Sequence, residues 1–280
     1  MKDFYNKAYQ IDHPHQYGGG ERGMPERTAL LTERTAEWLK SVGLMNRRDA
    51  KILEIGCGMA YLSKIHPGWN GAEYSATAVD LVRQRDGQDI PISEQDAQCL
   101  QYDDETFDAV YSWAALEHVP DPDKAFNEID RVLRIGGFGL VAPAWNCRSW
   151  TVKKLEQRPV SELSLLERLE RGSIPLREHL AYRALAALPA RLRGELALLL
   201  GGGAPMRLRY RPLHPRWDLI EQYGHESDDD AVADIDLHAG ICFFRSRGYD
   251  IISHGGFVKR FTARHEPLVV RKVRRTEPAG

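Results

Sequence analysis

Residues 51–60 read Lys51-Ile52-Leu53-Glu54-Ile55-Gly56-Cys57-Gly58-Met59-Ala60. Ile52, Leu53 and Ile55 make the short apolar run expected of a parallel strand covered on both faces. Gly56 and Gly58 then let the backbone turn tightly against a ligand. The unit is shaped to cradle a nucleotide. A dinucleotide fingerprint needs its third glycine where this chain has Tyr61, and a tyrosine there blocks close packing of helix on strand. A nicotinamide dinucleotide is therefore disfavoured.

Working outward, Asn70-Gly71-Ala72-Glu73-Tyr74-Ser75 lies about one short helix further on and reads as a second strand ending in a carboxylate. Asp96-Ala97 follows a third strand around Ile90 to Ser93. Thr106 to Trp113 is the fourth strand, and Leu116-Glu117-His118-Val119-Pro120-Asp121-Pro122 the turn after it. Ala125 to Leu133 then forms a helix with Ala125, Ile129, Val132 and Leu133 on one face, stopped by Gly136-Gly137. Phe138 to Ala142 is the fifth strand. Near the C-terminus, Ile235 to Arg247 reads as a helix, Asp250 to Ser253 as a strand and Pro267 to Val273 as an apolar terminal strand.

Residues 54–60 resemble motif I of the class I S-adenosylmethionine (SAM)-dependent methyltransferases, Glu/Asp-x-Gly-x-Gly-x-Gly, with Ala60 in place of the last glycine. The order of the later pieces resembles the small-molecule methyltransferases of the ubiquinone-biosynthesis type (methyltransferase type 11) over roughly residues 45–146. The likeness returns in the C-terminal helix and strands. It implies an α/β fold, a Rossmann-like seven-stranded sheet with a mostly helical insertion, or cap, after the fifth strand.

The cofactor implied is SAM, leaving as S-adenosylhomocysteine. Glu73 would grip both ribose hydroxyls, each charge-assisted bond worth roughly 1.5–3 kcal/mol, and Asp96 and Ala97 would meet the adenine. Glu54 would contact the methionine end or orient the glycine loop, or serve as a structural carboxylate. Gly56, Cys57, Gly58, Tyr74 and Ser75 would complete the cradle, and Trp113 would line its edge or fill the core beneath. His118 follows the fourth strand, where the family opens its pocket, and imidazole titrates near neutrality. It is either the base for a hydroxyl acceptor or a residue packed beside the turn at Pro120. Tyr5, Tyr9 and Tyr17 would shield the sulfonium with their ring faces, or pack on the surface, and Trp145 and Asn146 sit where acceptor contacts are common. Some relatives bind a divalent ion with a Glu-His pair and a further acid one turn earlier. This chain has Ala114 there, so no metal is expected, although folding could gather His225, Glu226, Asp228 or His238.

Composition agrees with one core fold and an insertion. The chain has 280 residues, more than one typical domain and less than two, and its 42% hydrophobic content can fill a substantial core. A net charge of -2 gives no general attraction to nucleic acid or anionic membrane. The four cysteines lack the spacing of a disulfide framework or zinc cluster. Without a secretory or membrane-spanning segment, a cytoplasmic location is expected. The expected organisation is an N-terminal helical segment and lid over 1–44, the cofactor-binding core over 45–146, the cap over 147–230, and a completion of the sheet with a basic tail over 231–280. Gly18-Gly19-Gly20 supplies a hinge, and Thr28 to Val42 an amphipathic helix with Leu30, Leu31, Trp38 and Leu39 inward.

The cap reads as helical from Ser161 to Arg171 and from Leu176 to Leu200, broken at Pro175 and Pro189 and ended by Gly201-Gly202-Gly203. Its arginines, among them Arg177, Arg183, Arg191 and Arg209, outnumber its glutamates, and an acidic block from Glu221 to Asp236 follows. These charges are either a solvated face or a cap holding an anionic substrate. The expected activity is methyl transfer from SAM to a small, bulky or anionic metabolite. The acceptor is an oxygen, hydroxyl or carboxylate, of a natural product, glycan or other intermediate. N- or C-methylation, or a catalytically silent SAM-binding partner, are the alternatives. Homodimerisation is compatible with this reading, and no nucleic-acid or membrane partner is expected.

Overall fold

The computed structural model describes residues 1–10, 25–201, 204–226 and 228–273. Tyr17, the Gly18-Gly19-Gly20 hinge, Gly202-Gly203 and the basic tail beyond 273 lie outside them. Seven strands form the main sheet: β1 (Ile52–Ile55), β2 (Trp69–Glu73), β3 (Ile92–Glu94), β4 (Phe107–Trp113), β5 (Leu133–Ala142), β8 (Tyr249–Ile251) and β9 (Leu268–Lys272). Their order is β3-β2-β1-β4-β5-β9-β8. The first five run parallel, while β9 is antiparallel to both β5 and β8. The order reverses between β1 and β4, and in such sheets ligands bind beyond the carboxyl ends of the strands at that crevice. A separate antiparallel ribbon pairs β6 (Tyr210–Pro212) with β7 (Ala233–Ile235).

Every residue of β1 is buried, so alternation sends its side chains to two different cores. Leu53 and Ile55 join Val110, Phe126, Ile129, Phe243 and Phe244 on one face. Ile52 lies on the other with Trp38, Leu39, Trp69 and Tyr111, and Glu54 points the same way.

The helices are α1 (Lys2–Ala8), α2 (Pro25–Ser41), α3 (Ala76–Asp86), α4 (Pro122–Val132), α5 (Ser149–Val152), α6 (Leu165–Glu178), α7 (Leu180–Leu200), α8 (Trp217–Tyr223), α9 (Leu237–Ser246) and α10 (Phe257–Thr262).

Several sequence expectations change here. The chain between Gly58 and β2 forms turns, not a helix, because Ala60 holds the left-handed φ of 52° and Pro67 closes the segment. Helix α4 ends at Val132, and β5 starts at once, so Gly136-Gly137 do not stop it. They lie where the β4–β5 register slips between Phe107↔Leu133 and Ala109↔Phe138. Gly136 has φ +82°, and a Cβ on Gly137 would stand 2.9 Å from the Asp108 carbonyl oxygen, so the pair allows backbone to approach backbone in a bulge.

Pro175 and Pro189 sit inside α6 and α7 without breaking them. The missing N–H of Pro189 orphans the carbonyl of Leu185, which is 70% exposed and can be solvated. The interruption falls at His179, whose ψ of 131° leaves the helical region. Helix α2 buries Trp38 and Leu39, but Leu30 is exposed. No helix among the described residues is long and apolar enough to cross a membrane.

Candidate active site

The crevice at the ends of β1, β2 and β4 holds two adjoining cavities of about 140 and 210 Å³, both bordered by Gly56 and Tyr9. The first is lined by Glu73, Tyr74, Asp96, Ala97, Tyr5 and His118, among others. The second is lined by Glu54, Cys57, Gly58 and Trp113. The fold thus gathers most of the expected cofactor residues.

Gly56 turns at φ +72°, and a Cβ there would collide with the Cβ of Ala115. Glu73 ends β2 with its carboxylate across the turn. Its Oε2 accepts the Gly58 N–H at 2.8 Å and its Oε1 the Ser75 N–H at 2.9 Å. Each oxygen keeps a lone pair after this. Burial pushes the Glu73 pKa up, and the amides of Ser75, Gly58 and Tyr74 partly offset it. A fixed acceptor pair beside a glycine turn fits a ribose diol, and room above Gly58 closes with the Tyr9 hydroxyl 3.0 Å from where a Cβ would stand.

Glu54 has a different environment. Its Oε2 accepts the indole N–H of Trp69 at 2.8 Å and the hydroxyl of Tyr111 at 3.0 Å. Burial pushes its pKa up to about 8 against the pull of those donors. The buried site thus favours the neutral form of the carboxyl at pH 7. Ser75 is buried and caps α3, accepting the Ala78 N–H, while its hydroxyl donates to Asn6. The Asp96 carboxylate accepts the Gln98 N–H at 2.9 Å, and Trp113 donates to Thr35 at 3.0 Å.

His118 closes the 3₁₀ turn Leu116–His118. Its Nδ1 lies 3.5 Å from Asp230 Oδ1, and its Nε2 3.7 Å from Glu117 Oε1. Burial lowers the His118 pKa, but the Asp230 and Glu117 carboxylates outweigh that and raise it above the ordinary 6.5. Tyr5 donates to the other Asp230 oxygen at 3.1 Å. Glu117 is fully buried, neither oxygen has a hydrogen-bond partner, and burial raises its pKa against the pull of His118.

Asp230 is the residue the sequence reading missed, since it lay within an acidic block. It is delivered by the loop after α8, which Lys154 anchors: the buried ammonium donates to the Gly224 carbonyl at 2.6 Å and pairs with Asp229. Asp229 also bonds the His225 ring at 2.7 Å and accepts the Glu226 N–H at 2.7 Å. His225 and His238 end in different clusters, the first with Asp229 and Asp230, the second with Glu195 and Cys242.

The two acceptor-side residues expected after β5 do not reach this crevice. Trp145 is buried in the core, where its ring would stand 3.3 Å from a Cβ on Gly240. Asn146 donates to the Arg264 carbonyl at 3.1 Å and borders a separate cavity. Strand β5 ends beside β4, one strand further from the glycine turn of β1.

Comparison with known proteins bears on this geometry. Residues 53–141 match the methyltransferase domain model Methyltransf_11. The chain is similar to the sterol 24-C-methyltransferase erg-4 of Neurospora crassa, 28% identical over 155 residues, half of this chain and 40% of that protein. It is 34% identical over 97 residues to methyltransferase GfsG of Streptomyces halstedii, covering 31% of this chain and 35% of that one. It is 27% identical over 175 residues to the phthiotriol/phenolphthiotriol dimycocerosates methyltransferase 1 of Mycobacterium ulcerans, 59% and 62% of the two chains. The chain therefore spans less than two thirds of these relatives. Among solved structures, SAM-bound CalS10, an amino pentose methyltransferase from Micromonospora echinaspora, aligns with a TM-score of 0.37 at 21% identity, over 42% of this chain and 51% of that one. Residues 53–141 thus carry the likeness to a methyltransferase domain.

Proposed function

We propose that this chain binds SAM in the paired cavities and transfers its methyl group to an oxygen of a small-molecule or lipid acceptor. The observation that carries the reading is the Glu73 carboxylate, held by the Gly58 amide across the β1 turn in the same cavity as His118. Glu73 would take the ribose hydroxyls, with Asp96 and Ala97 toward the base. Glu54 and Trp113 would border the amino-acid end, and Tyr5 and Tyr9 would face the sulfonium.

SAM supplies an electrophilic methyl carbon. The residues of the chain do the rest: they align the acceptor lone pair and exclude water, and such positioning can supply roughly 7–11 kcal/mol of the barrier. With SAM bound, His118 would take the proton of an acceptor hydroxyl held beside the methyl group. Asp230 then balances the imidazolium. The arrangement asks His118 to work above its raised pKa, so activity should fall away on the acid side at a higher pH than an ordinary imidazole would give. Residues 147–230 would form the acceptor-side cap over the core of 45–146, with 1–44 as the lid.

A second reading, methylation of carbon, is supported by the likeness to a sterol 24-C-methyltransferase. The test is transfer of tritiated methyl from SAM to hydroxylated, carboxylated and olefinic metabolites and lipids, with the methylated atom identified by NMR. Tight SAM binding without turnover on any of them would identify a silent binder instead.

A further inference from the structure

A cavity of about 430 Å³, larger than either cofactor cavity, lies between residues 147–211 and the C-terminal part and shares no lining residue with those two. It opens between α7, α9 and the β6–β7 ribbon, and eight arginines but only two aspartates line it. Both aspartates are already engaged. Asp236 pairs with Arg191 at 2.8 Å and accepts the His238 N–H at the start of α9, and Asp234 pairs with Arg211 at 2.8 Å.

Other cations are left in excess. Among the described residues, Arg183, Arg209 and Arg264 have no carboxylate within ion-pair distance, and the guanidinium of Arg183 meets only the ring nitrogen of His265, at 3.3 Å. The Arg191 side chain is 5% exposed, yet its Nε has no acceptor. Burial, then Arg191 and Arg183, push the Arg264 pKa down, and burial with Arg183 and Arg264 does the same to His265. Crowded guanidinium groups at the wall of a cavity are stabilised by a multiply charged oxyanion, which they can bind bidentately.

Part of the remaining lining is apolar. Ala186, Ala187 and Ala190 of α7 and Ala239 of α9 leave an apolar floor, and Trp150 carries the stacked Arg177 guanidinium 4.4 Å from its ring centre. A volume of this size also exceeds what one inorganic ion fills and falls in the range of organic ligands.

We propose that this cavity binds an organic phosphate, its phosphoryl group held by Arg264, Arg183 and Arg209 and its apolar body on the alanine floor. The site is independent of methyl transfer, so failure of one reading leaves the other standing.

Calorimetry on the full chain with octyl phosphate, below its micellar concentration, tests it against octanol and inorganic phosphate at matched ionic strength. The expected order is octyl phosphate tightest, inorganic phosphate at least tenfold weaker and octanol without measurable heat. Arg264→Gln and Arg209→Gln, which break no ion pair, should each weaken octyl phosphate at least fivefold while S-adenosylhomocysteine affinity is unchanged. Vesicles containing phosphatidate should not retain the chain more than neutral vesicles, because the occupant enters a cavity and does not remain in a bilayer. Equal binding of octyl phosphate and octanol, wild-type affinity in both variants, or retention by phosphatidate vesicles alone would overturn the proposal.

Discussion

Glu54 makes a stability prediction that can be worked through. Its carboxyl has an ordinary value of 4.5 and is pushed up to about 8 in the fold, so the folded chain holds a proton that the unfolded chain releases. The contribution is fully present below about pH 4.5 and is lost as the pH rises toward 8. At about 1.4 kcal/mol per pH unit, the full loss is about 5 kcal/mol, and roughly 3 kcal/mol of it has gone by pH 7. Glu54→Gln keeps an acceptor for the Trp69 indole and the Tyr111 hydroxyl but cannot ionise. Urea unfolding of both proteins at half-unit steps from pH 4.5 to 8.5, without cofactor, should show curves that lie within about 1 kcal/mol at the acid end and diverge as pH rises, with the variant the more stable. Titrating groups that do not interact with Glu54 cancel in the difference. Parallel curves across that range would mean that Glu54 ionises freely inside the fold, and the desolvation argument would be refuted.

Glu73→Ala should weaken SAM at least tenfold by calorimetry, since it removes charge-assisted bonds worth roughly 1.5–3 kcal/mol each; undiminished affinity would remove the ribose assignment. The low-pH limb of kcat/KM should follow His118, and Asp230→Asn, by deleting a charge that raises its pKa, should move that limb to lower pH; a limb that stays put would detach His118 from the chemistry. Lys154→Met should cost about 3–5 kcal/mol in chemical denaturation, because it leaves the buried Asp229 without its ammonium; a loss under 1 kcal/mol would show that His225 alone suffices. Gly56→Ala should lower thermal stability and abolish SAM binding together, as the added methyl meets Ala115, and a variant with wild-type melting and binding would contradict the turn geometry.

The sequence was most informative where function is written into consecutive residues. The apolar run of β1, the glycine turn and the carboxylate of Glu73 are local signals, and strand spacing alone brings them to one crevice. Asp230 could not be read, because its place beside His118 depends on Lys154, Asp229 and Gly224 meeting across the insertion. Nor could the role of Glu54 be read, since its donors, Trp69 and Tyr111, arrive from two neighbouring strands. Trp145 misled for a related reason: position after β5 says nothing about which side of the sheet a side chain enters. The prolines of α6 and α7 misled because a breaker's cost depends on whether the freed carbonyl reaches water, and that is a property of the packed surface.

Strand β9 lies between β5 and β8, although β8 precedes it in the chain. During synthesis, then, β8 emerges with no neighbour to hydrogen-bond, and the flank of β5 stays bare until residues 268–272 leave the ribosome. The nascent polypeptide must hold an open edge, a template for adhesion to other chains, and it is sealed last by a strand that slides between two waiting partners. A short peptide copying residues 268–272 should compete for that slot, making the seam the point at which maturation of the whole sheet can be stalled.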